Sequence, residues 1–291
     1  SLSPDKTLRN MGAVMHSTPV LLTQAGKVEY IDETANGITT SKISTATRDD
    51  YLLFGTTQGV LHVVKVGAES DTTANYTGGH EVFAFVPQEI LANQPRAFLN
   101  ETESGSNGMN QLYYGVDGQW VAHTEYVYNS TSDKFLVKDG AKLGKQWVYG
   151  GMRMGGRSYY ALDLTDMSSP AIKFRIDPAT SKVYSPAVTA GEYSYSHLSK
   201  MGESWSKPVI ANVQWQGKRR LVMFVGGGYD RTGGTDGKGY ETFNYVQTNG
   251  LGAGVFMFDA HTGEPLWSTY EAIDSSKPST SPYKGDGNEM K

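Results

Sequence analysis

A chain of 291 residues with a net charge of −4 and no cysteine excludes disulfides, thiolate catalysis and cysteine-held metals, and offers no broad basic face for nucleic acid. Thirty-four glycines beside eighteen tyrosines, ten phenylalanines and five tryptophans favour turns and strands over helices, with enough apolar surface for a packed core. No apolar run nears the roughly 18 residues a helix needs to span a bilayer, and the opening Ser1-Leu-Ser-Pro4 is not a signal peptide, which leaves room for a leader removed from a longer protein.

After a lead-in over 1–15, His16-Ser-Thr-Pro-Val-Leu-Leu22 reads as a strand with Pro19 at its start or edge. Tyr51-Leu-Leu-Phe-Gly-Thr-Thr57 is a second strand, and Gly59–Val66 is a third, after the turn at Gln58-Gly59. Glu81-Val-Phe-Ala-Phe-Val-Pro87, past a Gly/Thr/Asp-rich insertion, completes an antiparallel unit of four. A second copy has Tyr114-Gly-Val-Asp-Gly118 leading its first strand, then Gln146–Gly151, Tyr159–Leu164 and Ala171–Arg175.

The third copy opens with Ser206-Lys-Pro-Val-Ile-Ala211, matching Ser17–Leu22, and continues with Arg220–Val225. Its hairpin runs from Gly254 to Trp267. Val255, Met257 and Asp259 alternate with Phe256 and Phe258, the period of a strand. His261-Thr-Gly-Glu264 makes the turn, with Gly263 free to take positive φ, and Leu266 and Trp267 begin the return. Aligning Ser158–Asp163 with Gly254–Asp259 makes Asp163 and Asp259 equivalent, while the first copy has Val64 there.

A twisted four-strand sheet cannot bury both faces alone, and its repetition marks a β-propeller. The fold class is therefore all-β, with four-stranded antiparallel blades at roughly 16–87, 112–177 and 205–270, and residues 1–291 form one propeller domain or a fragment of one. Propellers close with about four to eight blades, so the ring is expected to be incomplete in this chain, or completed by blades too diverged to read. The stretch 275–291 reads as a loop that leads onward, with Lys291 an artificial end. Three long inserted loops stand outside the blades: 88–111, which opens as a short helix behind Pro87, then 182–204 and 229–250. Partner contacts are expected there.

The six histidines show no metal-ligand spacing, and no Gly-x-Ser-x-Gly elbow is present. Gly237-Lys238 fails as a phosphate loop, since Thr232 stands where its first glycine belongs and Gly239 where Ser or Thr is needed. Gly150–Gly156 lies between strands and reads as a kinked turn. Lys218-Arg219-Arg220 reads as a solvated strand start. One run offers calcium ligands: Asp230, Thr232, Asp236 and Glu241 fall at positions one, three, seven and twelve of an EF-hand-like loop. Against it, Thr235 replaces the glycine at six and the cation Lys238 stands at nine, so a solvated acidic loop competes with the metal reading. Tyr184, Tyr193 and Tyr195 are candidates for a partner-binding surface, because tyrosine combines apolar area with a polar tip.

Taken in order, Met11-Gly-Ala-Val-Met-His-Ser-Thr-Pro-Val20, Phe54–His62, Glu81–Pro87, Tyr114–Gly118, Gly155–Thr165 and Trp205–Ile210, followed by the hairpin ending at Trp267, resemble the C-terminal propeller of type IV pilus tip-associated adhesins, the PilC/PilY group that includes the competence factor ComC. The resemblance spans 11–267. It implies a quinoprotein-like propeller without catalysis, exported through the periplasm and outer membrane to the pilus tip or cell surface of a Gram-negative bacterium. It implies roles in pilus assembly, retraction control, twitching motility, adhesion and DNA uptake. Implied partners are minor pilins, the major pilin, and host or abiotic surfaces, with direct DNA contact open. The family's Asp-rich calcium loop is not present in this chain, so no calcium residue is carried over; no cofactor is expected in this fragment, and the resemblance leaves calcium open for the full-length protein. No Arg-Gly-Asp tripeptide occurs. Two other classes share the architecture: a periplasmic quinone-dependent dehydrogenase, which the absence of cysteine and of around eight Trp-marked repeats disfavours, and a scaffold propeller of another envelope complex.

Overall fold

The computed structural model describes residues 11–27, 29–43, 47–67, 72, 74–95, 113–231 and 251–270. Its strands are β1 (Val20–Gly26), β2 (Tyr30–Ala35), β3 (Ile38–Ile43), β4 (Asp49–Gly55), β5 (Leu61–Lys65), β6 (Glu81–Phe85), β7 (Trp120–Glu125), β8 (Val127–Asn129), β9 (Lys134–Leu136), β10 (Lys138–Asp139) and β11 (Lys142–Leu143). The chain continues with β12 (Lys145–Gly151), β13 (Tyr159–Asp163), β14 (Ala171–Asp177), β15 (Lys182–Tyr184), β16 (Glu192–Ser194), β17 (Val209–Trp215), β18 (Lys218–Gly226), β19 (Val255–Asp259) and β20 (Pro265–Ser268). A short helix, α1 (Gln88–Asn93), follows Pro87, and a 3-10 turn covers Ser196–Lys200.

Three antiparallel meanders carry the fold: β1-β4-β5-β6, β7-β12-β13-β14 and β17-β18-β19-β20. They meet along their first strands, with β7 beside both β1 and β17. Consecutive four-stranded sheets packed face to face along their leading strands are propeller blades.

The middle sheet explains the packing. Its residues alternate, and both faces are apolar. Val148, Tyr160 and Leu162 point to the first sheet, where they meet Leu22, Tyr51, Leu53, Leu61 and Val63. Trp147, Tyr149, Tyr159 and Ala161 point to the third sheet, where they meet Met223, Val225, Phe256 and Phe258. Full burial of a side chain such as Phe256 stabilises by roughly 1.5–3 kcal/mol.

Side-chain amides tie the first two sheets together as well. Gln24 Nε2 donates to Leu164 O at 2.8 Å, and Gln146 Nε2 donates to Thr23 O at 3.1 Å. At the other end of the blades, a glycine closes the second strand of the first and of the second sheet where the next blade's lead-in crosses. A Cβ on Gly55 would sit 2.0 Å from Val116 O, and one on Gly151 would sit 2.6 Å from the Ser204 side chain. Only glycine permits that approach.

Local turns follow from residue type. Asn36-Gly37 and Gln216-Gly217 both have positive φ (54° and 77°, 50° and 76°), the tight hairpin turn that matches strand twist. Gly263 takes φ 77° in the β19–β20 turn.

Two features differ from the sequence reading. The stretch 182–204 was expected to lie outside the blades, yet β15 and β16 extend the middle sheet to six strands. Asp177 makes this possible: its Oδ1 accepts the N–H of Ala179 and Thr180, turning the chain back so that Val183 pairs with Ile176. In addition, the hairpin β8–β9, inserted between β7 and β12, crosses to the first sheet, where Leu136 pairs with Ala25.

Candidate functional site

Three segments distant in sequence converge beside the glycine-rich turn between β12 and β13. The first is α1. Its Glu89 carboxylate accepts the N–H of Arg157 at 2.9 Å and of Ser158 at 3.0 Å, clamping the turn to the helix. Gln94 Nε2 adds a bond to Gly155 O at 2.9 Å. The second segment is the lead-in to β17, where Ser204 Oγ accepts Met152 N–H and donates to Gly156 O, both at 2.8 Å. The third follows β18: Glu203 N–H donates to Tyr229 O at 2.8 Å and Tyr229 N–H returns to Glu203 O at 3.1 Å. Gly228 (φ 95°) permits this contact, since a Cβ there would lie 1.9 Å from Glu203 O.

The segments enclose a cleft of about 430 Å³, bordered by Glu89, Tyr113, Tyr114, Glu203, Asp230 and Arg231 among others. Glu203 is its most unusual group. The side chain is 7% exposed, and Oε1 pairs with Arg231 Nη2 at 2.8 Å. Oε2 is buried without a hydrogen-bond partner. Burial pushes the carboxyl up to about 7; Arg231 and, more weakly, Arg157 pull it back, and the Glu89 carboxylate adds to the rise. Arg157 is engaged elsewhere, donating through Nε to Met201 O at 3.1 Å.

Of the sequence-derived calcium ligands, Asp230 borders this cleft and is only 4% exposed. Asp236 and Glu241 lie outside the described residues. Among the described residues no group of three or more His, Asp or Glu is placed to hold a metal ion.

The three tyrosines separate. Tyr184 borders a second, mostly apolar cleft of about 630 Å³ with Phe85, Leu91, Tyr160, Ile172 and Arg175, and the Arg175 guanidinium lies 4.4 Å from its ring centre. Tyr193 and Tyr195 instead pack against the core between the second and third sheets. Tyr195 Oη donates to Ser268 Oγ at 2.9 Å. The Lys218-Arg219-Arg220 run divides as well: Lys218 and Arg219 are exposed, while Arg220 pairs with Glu264 at 3.0 Å.

Sequence reasoning missed Glu89, Glu203 and Arg231. None sits in a spacing that announces chemistry, and only packing brings them together.

The blades define the class: an all-β array of propeller blades. Within that class, the chain is 25% identical over 225 residues to the type IV pilus biogenesis factor PilY1 of Pseudomonas aeruginosa, in strains PAO1 and PAK alike. The match covers 75% of this chain and only 15% of PilY1, so the chain spans a small part of the relatives it matches. The crystal structure of the Pseudomonas aeruginosa PilY1 C-terminal domain aligns with 80% of this chain and 32% of that one, at 18% identity and a TM-score of 0.38. That superposition is too loose to argue from, and the relation rests on the sequence match. No protein-family profile matches the chain. Among the described residues no helix is long and apolar enough to cross a membrane.

Proposed function

We propose that this domain is a non-enzymatic part of a type IV pilus biogenesis factor, exported through the periplasm and outer membrane and working at the pilus tip or cell surface. The observation that carries this reading is the 25% identity over 225 residues with PilY1. A propeller suits such a role, because rigid blades position long loops for partner contact. Minor pilins and the major pilin are the partners expected from it. Control of retraction, twitching motility, adhesion to host or abiotic surfaces and DNA uptake are roles of the whole protein that the domain would share. Calcium, where it acts, would belong to the full-length protein. The net charge of −4 argues against tight DNA binding by this domain itself.

The test is capture of purified minor and major pilins on the domain, with surface piliation of a deletion strain scored beside it. Capture of a pilin together with lost piliation supports the reading. Normal pili and no pilin capture would overturn it.

A further inference from the structure

We propose that the cleft beside α1 binds an uncharged saccharide unit, a pyranose with one apolar ring face and a hydroxylated edge. The proposal does not depend on the pilus reading. It begins with the charged groups that border the cleft, because each already has a partner. Glu203 pairs with Arg231 at 2.8 Å. The Glu89 carboxylate accepts two backbone N–H groups, and Arg157 donates to the carbonyls of Met201 and Ser199. Asp230 is 4% exposed and is engaged as well. No ionised group is left over for a charged ligand to neutralise, so the ligand that fits is neutral.

The same cleft has unused hydrogen-bonding capacity of another kind. Asn93, the last residue of α1, borders it together with Tyr113 and Tyr114 from the lead-in to β7. Among the described residues these three side chains take no hydrogen-bond partner. Asn93 is exposed and both tyrosines are half-buried. Their polar atoms stay within reach of solvent: the buried side-chain atoms without a partner belong to Trp120, Tyr160 and Glu203 instead. A carboxamide and two phenol hydroxyls each donate and accept, as the hydroxyls of a sugar do. Gln94 brings the three together. Its Oε1 accepts Gly115 N–H at 3.3 Å and its Nε2 donates to Gly155 O at 2.9 Å, which holds the lead-in to β7 beside α1.

The ring follows from the tyrosines. A tyrosine offers apolar area beside a polar tip, and a pyranose offers a C–H face beside a hydroxyl edge, so one ligand ring meets both. A purely apolar ligand would leave the Asn93 carboxamide stripped of water without replacement bonds. The volume of about 430 Å³ falls within the roughly 300–1,000 Å³ of small-ligand sites.

The intact chain is titrated with the methyl glycosides of glucose, galactose, mannose and N-acetylglucosamine, by saturation-transfer NMR and calorimetry, at low and high salt. Cyclohexanol, a ring without the hydroxyl edge, and Nα-acetyl-glycine methylamide, a peptide unit, are the controls. Saturable binding of at least one glycoside, unchanged by salt within about twofold because no charge is involved, and absent for both controls, supports the site. Tighter binding of the corresponding trisaccharide supports it with a polysaccharide chain as the source, and equal binding supports it with a terminal sugar. Asn93→Ala is expected to weaken the glycoside about fivefold, and Tyr113→Phe combined with Tyr114→Phe about tenfold, the worth of one or two hydrogen bonds. Lys218→Ala, on an exposed residue that does not border the cleft, is expected to change nothing. Asn93 makes no side-chain bond, so its truncation leaves the fold intact. Refusal of all four glycosides, a control that binds as tightly, affinity that collapses in salt, or undiminished binding by these variants overturns the proposal.

Discussion

Asp163 and Asp259 occupy the same place in neighbouring blades: each ends a third strand, and each accepts through Oδ1 the N–H of the residue two further on, at 2.9 Å. Their second functions differ. Asp163 Oδ2 accepts Trp147 Nε1–H at 3.0 Å, and Asp259 Oδ1 also accepts Thr262 N–H at 3.0 Å. Asp163→Ala strands an indole N–H on a residue only 5% exposed, so it is expected to cost about 2–3 kcal/mol, against about 1–2 kcal/mol for Asp259→Ala. Urea unfolding of both variants checks the order. Equal losses would place the weight on the shared turn.

The glycine at the end of β4 makes a sharper test. Gly55→Ala drives a methyl into the Val116 carbonyl from the next blade, at 2.0 Å, where no side chain can yield. A loss of about 3 kcal/mol or more is expected, at the upper end for overpacking. Gly217→Ala, with φ 76° but open space around it, is expected to cost only about 1 kcal/mol. Thermal melts of the pair separate steric contact from backbone strain.

These two tests also show what a reader of the sequence can see. Alternation in Val255–Asp259 announces a strand whose Phe256 and Phe258 share a face, because strand periodicity is local. The equivalence of Asp163 and Asp259 is legible for the same reason. The strands β15 and β16 are only three residues each, and their tyrosines and serines carry no strong alternation. The pairing of Leu136 with Ala25 joins segments more than a hundred residues apart and leaves no trace in either. Glu203 is silent in the same way. Its meaning comes from Arg231, Glu89 and a buried position, and only the packed structure brings these together.

Glu203 sets a pH dependence of stability. Its folded value of about 7 lies above the ordinary 4.5, so the folded state holds the proton more tightly than the unfolded chain. Stability is greatest below pH 4.5, declines as pH rises towards 7 and levels off beyond, by about 3 kcal/mol in all. Glu203→Gln removes this slope. Denaturant unfolding at pH 5 and pH 8 measures it, and an equal slope in both proteins would sink the assignment.

Lys173 predicts the opposite slope in another range. Burial lowers its ammonium to about 8, with Asp163 and Asp259 opposing, and the side chain lies 3.6 Å from the Trp147 ring centre, close to His261. The folded value is below the ordinary 10.5, so wild-type stability rises as pH climbs from 8 to 10.5. The Trp147 face favours the cation and offsets part of the penalty. Lys173→Met is expected to be about 1–2 kcal/mol more stable at pH 7 and to lose that rise. Melting curves at pH 7 and pH 10 are the check.

Tyr184 and Tyr195 divide surface from scaffold. Tyr195→Ala removes a ring packed on the core and its bond to the buried Ser268, a loss of roughly 2 kcal/mol. Tyr184→Ala is expected to stay within about 1 kcal/mol of wild type. Pilin capture by the Tyr184→Ala protein then tests the second cleft without a folding defect, and unchanged capture would remove Tyr184 from the partner surface.

The crossings at Gly55 and Gly151 carry a consequence for how such a protein changes over generations. Where one blade's lead-in passes the next, the fit depends on a hydrogen atom standing where every other residue has carbon. A seam made of backbone has almost no vocabulary to mutate. Blade interiors can therefore exchange one side chain for another of like volume, while Gly55 and Gly151 leave no alternative residue at the seams that keep adjoining blades in step.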